Sequence, residues 1–204
     1  MIQLATAPPR TPEELAERCL AAGMAIDRPV SEGDLTEILE FIPHWLAVAD
    51  ADTDEQRAVL LNALLASASA HPRVTDHADG GWHIHYRDDG LGLGAVLRAV
   101  VSVGTALHLT GRGMHRLGRC TLAECGRVYA DFTRGGRQRY CCHACANRDA
   151  VRRHRARRAA GRERAQRVAQ GRVAGGEASG DGETVACGVP NGRGDGRRHS
   201  RRPA

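Results

Sequence analysis

Two cysteine pairs constrain this chain more than any other feature. Cys120 and Cys125 form a C-x4-C pair and Cys141 and Cys145 a C-x3-C pair, with Cys142 alongside and residues 126–140 between the pairs. Thiolates clustered in this way are soft ligands suited to Zn2+, and two pairs supply the four ligands of a closed structural site. A closed site leaves no position for an activated water, so hydrolytic metal chemistry is disfavoured. The metal also answers a size problem. A module of about 40 residues makes a poor core alone, and aromatic residues are only 3% of this chain. Spacing leaves the third ligand open. Cys142-x2-Cys145 has the commonest knuckle spacing, Cys141-x3-Cys145 is looser, and His143 is near enough to compete.

The second pair runs directly into arginine. A helix opening at Cys145 and reaching about Ala160 would align Arg148, Arg152, Arg155 and Arg158 in one stripe, with Arg153 and Arg157 in a second beside it. Ala150 and Val151 are then left to face the cysteine knuckle. The net charge of +5 conceals an asymmetry: residues 1–110 carry 7 Arg against 16 acidic residues, and residues 111–170 carry 16 Arg against 4. An acidic body thus precedes a basic head. A cationic helix growing out of a metal knuckle suits a polyanion better than it suits a merely solvated face. All 29 basic residues are Arg, which contacts phosphate and guanine in bidentate fashion. The expected partner is nucleic acid, with duplex DNA first, through Arg148, Arg152, Arg153, Arg155, Arg157 and Arg158. Asn147 suits adenine and backbone groups equally.

The acidic body reads as helical. Thr11-Pro12-Glu13-Glu14 starts a helix that buries Leu15 and Cys19 and stops near Gly23. Leu35, Ile38, Leu39, Ile42 and Leu46 repeat at helical spacing, with Pro43 expected to kink or divide the segment. Thr53 to Gln56 opens another helix, with Val59, Leu60, Ala63 and Leu64 as its face. Trp82, Ile84 and Tyr86 alternate with His83, His85 and Arg87 after a Gly-Gly turn, which marks half of a hairpin. His83 and His85 share one face, read as solvated because no third metal ligand is evident nearby. Gly90 to Gly94 lacks the lysine and spacing of a phosphate loop and reads as close packing before a helix. That helix, Leu91 to Leu109, is broken by Gly92, Gly94, Arg98 and Gly104 and reads as buried, not membrane-spanning, with Val96, Leu97, Val100, Val101 and Leu107 as core. In the cysteine module, Arg127 to Phe132 forms a strand, Gly135-Gly136 a turn, and Arg137 to Tyr140 a return strand. Residues 171–204, with Cys187, read as a disordered tail. No signal peptide is evident, and a cytoplasmic, nucleoid-associated location follows. There the thiols stay reduced.

These residues resemble a known family. Cys120-x4-Cys125, then Tyr129, Asp131 and Thr133, Arg139-Tyr140-Cys141, and Cys145-Ala146-Asn147-Arg148 followed by Val151-Arg152-Arg153-His154-Arg155 look like the CGNR zinc finger. The likeness covers residues 117–158, with Ala146 where the family has Gly. It implies that the third ligand follows an aromatic and precedes a Ser-like position, which favours Cys141 and puts Cys142 in the Ser place. It also implies an ABATE-type N-terminal domain and a role in stress-induced transcription regulation. The fold expected is mainly α with small β-hairpins: a helical domain over 11–110 and a treble-clef-like zinc finger with a basic helix over 115–162. The function expected is DNA-binding transcription regulation, with the N-terminal domain sensing a signal or mediating association, including homo-oligomer formation. The alternatives are an RNA-binding or ribosome-associated zinc protein and a zinc-stapled protein-interaction module. No acid/base or nucleophile cluster marks an enzyme.

Overall fold

Side-chain caps start the helices. The chain is described by a computed structural model over residues 1–76 and 81–174, so Cys187 and the expected tail beyond 174 lie outside the described residues. A short α1, Ile2–Thr6, comes first and buries Leu4, ahead of the expected domain start at residue 11. In α2, Pro12–Ala21, the Thr11 hydroxyl accepts from the Glu14 amide at 3.2 Å, and Leu15 and Cys19 are buried as expected. In α3, Glu32–Asp50, Ser31 and Asp34 form a reciprocal capping box. In α4, Asp54–Ala68, the Thr53 hydroxyl accepts from the Gln56 amide at 3.2 Å. A hairpin follows, β1 Arg73–Asp76 and β2 Trp82–His85, then α5, Leu93–Arg112.

Helix α3 is the centre of the body. It buries Leu35, Ile38, Phe41, Ile42, Trp45 and Val48, a face wider than the one read from the sequence, while Leu39 is exposed. Pro43 neither divides nor ends the helix, which is assigned without a break through it. The reason is position. Pro43 and Leu39, whose carbonyl loses its partner, both lie on the exposed side, where water can satisfy that carbonyl, while Ile42 and Trp45 anchor the buried side. The α4 face is also corrected. Leu61 and Leu64 are buried, whereas Val59 is exposed. The rotation follows from Arg57, which is buried and donates to the Met114 carbonyl and to those of Ala51 (3.1 Å) and Ala49 (3.4 Å) at the end of α3. Helix α5 is long and apolar enough to cross a membrane by length and composition. It packs on α3 and α4 through Leu97, Ala99, Ser102 and Leu109, leaving Val100 and Leu107 exposed, contrary to the expected core set.

The glycine-rich stretch before α5 serves a close helix crossing. The Gly94 amide donates to Asp34 Oδ1 at 2.8 Å, so a carboxylate of this chain occupies the start of α5. A Cβ on Gly94 would lie 2.9 Å from the Asp34 carbonyl oxygen, and one on Gly92 2.5 Å from Asp34 Oδ1. Gly94→Ala is therefore expected to cost about 2 kcal/mol by overpacking. Chemical denaturation checks this, and an unchanged midpoint would show that the two helices can separate freely.

The body and the cysteine module share a core. Residues 1–154 form one compact unit. Within it, β3 Leu117–Arg119 pairs antiparallel with β4 Val128–Ala130. Leu117 and Val128 belong to the same buried cluster as Phe41, Trp45, Val48, Leu61 and Leu109. Arg119 adds a bidentate bond to Asp50 at the end of α3, at 2.6 and 2.8 Å. The chain is thus mainly α, with two small antiparallel strand pairs.

The β1–β2 hairpin is turned the other way from expectation. Val74 faces Ile84 and Thr75 faces His83 across the pair. Trp82 (76%), Val74 (68%) and Ile84 (53%) are exposed, while His83 and His85 are half-buried. The polar face also carries an ion pair. Arg73, opposite His85, donates to the Asp89 carboxylate at 3.0 Å and to the Arg87 carbonyl at 2.9 Å.

Candidate metal centre and basic helix

The first cysteine pair sits at the turn of the β3–β4 hairpin. The Cys120 amide donates to the Arg127 carbonyl and the Cys125 amide to the Leu122 carbonyl, both at 2.8 Å. Gly126 completes the knuckle at φ +61°, a conformation that L side chains rarely adopt. Leu122 is fully buried beneath it, among Cys120 and Cys145. The second pair brackets the start of α6, His143–Ala174, which extends past the expected stop near Ala160.

Sulfurs of Cys120, Cys125, Cys141 and Cys145 all lie within 4.8 Å of one another. Three of these separations are 3.5 Å (Cys125–Cys141), 3.7 Å (Cys141–Cys145) and 3.7 Å (Cys125–Cys145). A tetrahedral ion with metal–sulfur bonds of about 2.3 Å needs edges of roughly 3.8 Å, so the residues fit a four-thiolate centre. The amide of Arg127 lowers the Cys125 thiol to about 7, which favours the ligating thiolate. Burial pushes the Cys141 thiol up, and that of Cys145 up to about 11, so these two sulfurs need a cation to ionise near neutrality.

Cys142 is not in this set of four, although its sulfur lies 3.6 Å from that of Cys145 and 4.0 Å from that of Cys141. It is exposed, it precedes the first residue of α6, and its carbonyl accepts the Ala146 amide at 3.2 Å. The Cys145 amide bonds its sulfur and lowers its thiol below the usual value. It therefore acts as an N-cap, the place a serine would take. His143 is not in the set either and pairs with Asn147 at 3.1 Å.

The loop after β4 differs from the expected second strand. Residues 137–140 form no ladder. Asp131, 1% exposed, instead takes the bonds that a strand would have made. Its carboxylate accepts from the Thr133 amide (2.8 Å), the Thr133 hydroxyl (2.6 Å) and the Gln138 amide (2.9 Å), and Arg116 stands 3.7 Å away. Burial alone would raise its pKa; these donors and Arg116 outweigh burial and hold it below the usual carboxylate range. Gly136 closes the loop at φ +62° against the Arg116 guanidinium, where a Cβ would come within 2.8 Å. Nothing in residue spacing marks Asp131 or Arg116 as partners. The one signal in the sequence is Asp131 two residues before Thr133, an Asx-turn pattern.

Helix α6 docks on the module through Cys145 and Asp149, not through Ala150 and Val151, which are exposed. The reason is Tyr140, whose hydroxyl donates to Asp149 at 2.7 Å and fixes that face inward. Tyr140 and the guanidiniums of Arg153 and Arg152 hold Asp149 below the usual carboxylate range. Arg152 also pairs with Glu124 at 3.2 Å, and Arg153 reaches Asp149 at 2.9 Å. Among the described residues Arg148 makes no ion pair, and Arg155, Arg157 and Arg158 are exposed. No curated protein matches the chain. Residues 116–158, the segment that holds the four sulfurs, match the family model of the CGNR zinc finger.

Proposed function

We propose that the four thiolates hold one structural Zn2+ and that the chain is a transcription regulator that binds duplex DNA through α6. The zinc reading rests on the all-sulfur, near-tetrahedral ligand set, which suits a borderline-soft d10 ion. The nucleic-acid reading rests on one observation above all: arginines on the exposed side of a helix that the metal centre fixes at its first turn. The α-helix is the element that enters a major groove, and its guanidiniums reach phosphate and guanine edges. The helical body would sense a signal or mediate association, as an ABATE-type domain would, and the protein would act at the nucleoid.

The test is duplex binding across a salt series. Arg148 and Arg155 are the informative pair, because Arg152 and Arg153 are already engaged by Glu124 and Asp149. Arg148→Ala/Arg155→Ala is expected to keep its zinc and to reduce the magnitude of the salt slope by about 1.8, or 0.9 for each phosphate that is no longer neutralised. Affinity and slope both unchanged, with zinc retained, would remove the DNA reading and favour a protein-interaction module. Tighter binding to duplex RNA than to DNA at every salt would select the RNA alternative.

A further inference from the structure

The cysteine module carries one more sulfur than its metal centre uses. Among the described cysteines Cys142 alone is exposed, whereas Cys145 is buried. The two sulfurs lie 3.6 Å apart, and the residues stand as C-x2-C across the first turn of α6. Residues three apart on a helix have Cα atoms about 5 Å apart, inside the range of about 4.4–6.8 Å that a disulfide spans. The Cys141 sulfur lies 4.0 Å from that of Cys142, but the two residues are adjacent in sequence. Cα atoms across a trans peptide are about 3.8 Å apart, too close for a relaxed bridge. Cys142 also opens on a groove of about 590 Å³ that Arg127 and Phe132 help to line, so a small oxidant can reach its sulfur. An exposed cysteine beside a second that can resolve it is the arrangement of redox-sensing thiols.

We propose that Cys142 is an oxidation site, and that a hydroperoxide joins Cys142 to Cys145 in a disulfide that dismantles the metal centre. The second half of this rests on the zinc reading above. In the first step the Cys142 sulfur attacks one peroxide oxygen and the O–O bond breaks. Cys142–SOH forms together with an alcohol, or with water when the oxidant is H2O2. The sulfur gives up two electrons and the peroxide takes them. The Cys145 thiolate then attacks the Cys142 sulfur, the S–O bond breaks, and hydroxide leaves. In sum, Cys142–SH, Cys145–S− and H2O2 give the disulfide, water and hydroxide. Three thiolates remain, one short of a closed structural site. Cys145 is also one of the two buried residues through which α6 docks, so the bridge disturbs the seat of the basic helix as well.

The test treats the full, zinc-loaded chain with a small excess of H2O2. A chromogenic chelator reads the zinc released, and mass spectrometry of alkylated peptides maps the disulfides. Release of the zinc is expected together with a Cys142–Cys145 bridge, and a dithiol with added Zn2+ should reverse both. Cys142→Ser keeps all four ligands and is expected to release zinc more slowly by about 10-fold or more, because the thiol open to peroxide is gone. Release from Cys142→Ser at the parent rate would overturn the proposal. So would a parent disulfide that joins two of the four ligands, or one that links two chains through Cys142. The mapping is made on the parent chain, so the proposal stays open to refutation even if the variant misfolds. A chain that purifies without zinc and still forms the bridge would refute the zinc reading and uphold the oxidation site. A chain that holds zinc and forms no bridge would refute the oxidation site alone.

Discussion

Replacing Cys145 by Ser is expected to abolish stoichiometric zinc binding and to lower the melting temperature of the helical body along with that of the module. Cys145 lies buried with Cys120 and Leu122, at the junction of the metal centre and α6. Structural zinc is worth about 10 kcal/mol or more to a module this small. Its loss should unfold the segment from Leu117 to the first turns of α6. That unfolding exposes Leu117 and Val128, which belong to the core of α3, α4 and α5. Each contributes about 2 kcal/mol by burial, so the body is destabilised too. Cys142→Ser gives the contrast: it keeps an N-cap at α6 and should retain its zinc. Metal analysis and calorimetry check both variants. A body transition unmoved by zinc removal would refute the shared core. Zinc lost in Cys142→Ser but kept in Cys141→Ser would reverse the ligand assignment.

Asp131→Asn is expected to lower stability by about 3 kcal/mol, the cost of leaving a half-buried cation and several donors without their carboxylate. The Thr133 and Gln138 amides both donate to Asp131, so one would face the –NH2 of the substituted side chain. For a chain of this length the melting temperature should fall by about 6–12 °C. The pH dependence separates charge from shape. The folded pKa of Asp131 lies below the unfolded value of about 3.9. Its ionised form therefore stabilises fully above that value, and the contribution is lost as pH falls through the lower folded value. The gap between the parent chain and Asp131→Asn should be constant near neutrality and narrow in acid. A gap that is the same at both extremes would mean that Asp131 acts by shape alone.

Local patterns were legible where one residue decides the outcome. Thr11, Ser31 and Thr53 all cap helices, and the capping signals at Thr11 and Thr53 stand out in sequence because the donor they satisfy is three residues away. The cysteine pairs were legible for the same reason. What could not be read depends on residues distant in sequence. Arg57 rotates α4 because it reaches carbonyls at the end of α3 and at Met114. Tyr140 turns α6 by bonding Asp149, so helical spacing alone chose the wrong inward residues, Ala150 and Val151. β4 pairs with β3 and not with residues 137–140, because Asp131 takes the amide of Gln138. The alternation of Trp82, Ile84 and Tyr86 located a strand correctly but gave its orientation wrongly. Alternation distinguishes two faces; it does not say which one turns inward.

The length of α6 has a consequence for any measurement made on it. From Val151 to Val168 every side chain is exposed, so no packing among the described residues holds this stretch helical. Gly161 lies within it, at a cost of about 1 kcal/mol relative to Ala. Arg148 and Arg152, Arg153 and Arg157, and Arg158 and Arg162 each stand one turn apart, and like charges at that spacing oppose the helix. Added salt screens that repulsion and lengthens the ordered rod, while the same salt competes with a polyanion for the guanidiniums. The two effects have opposite signs in the binding constant. The salt slope of the intact chain is therefore shallower than the phosphates it neutralises would give, and the helical signal recorded beside it supplies the difference.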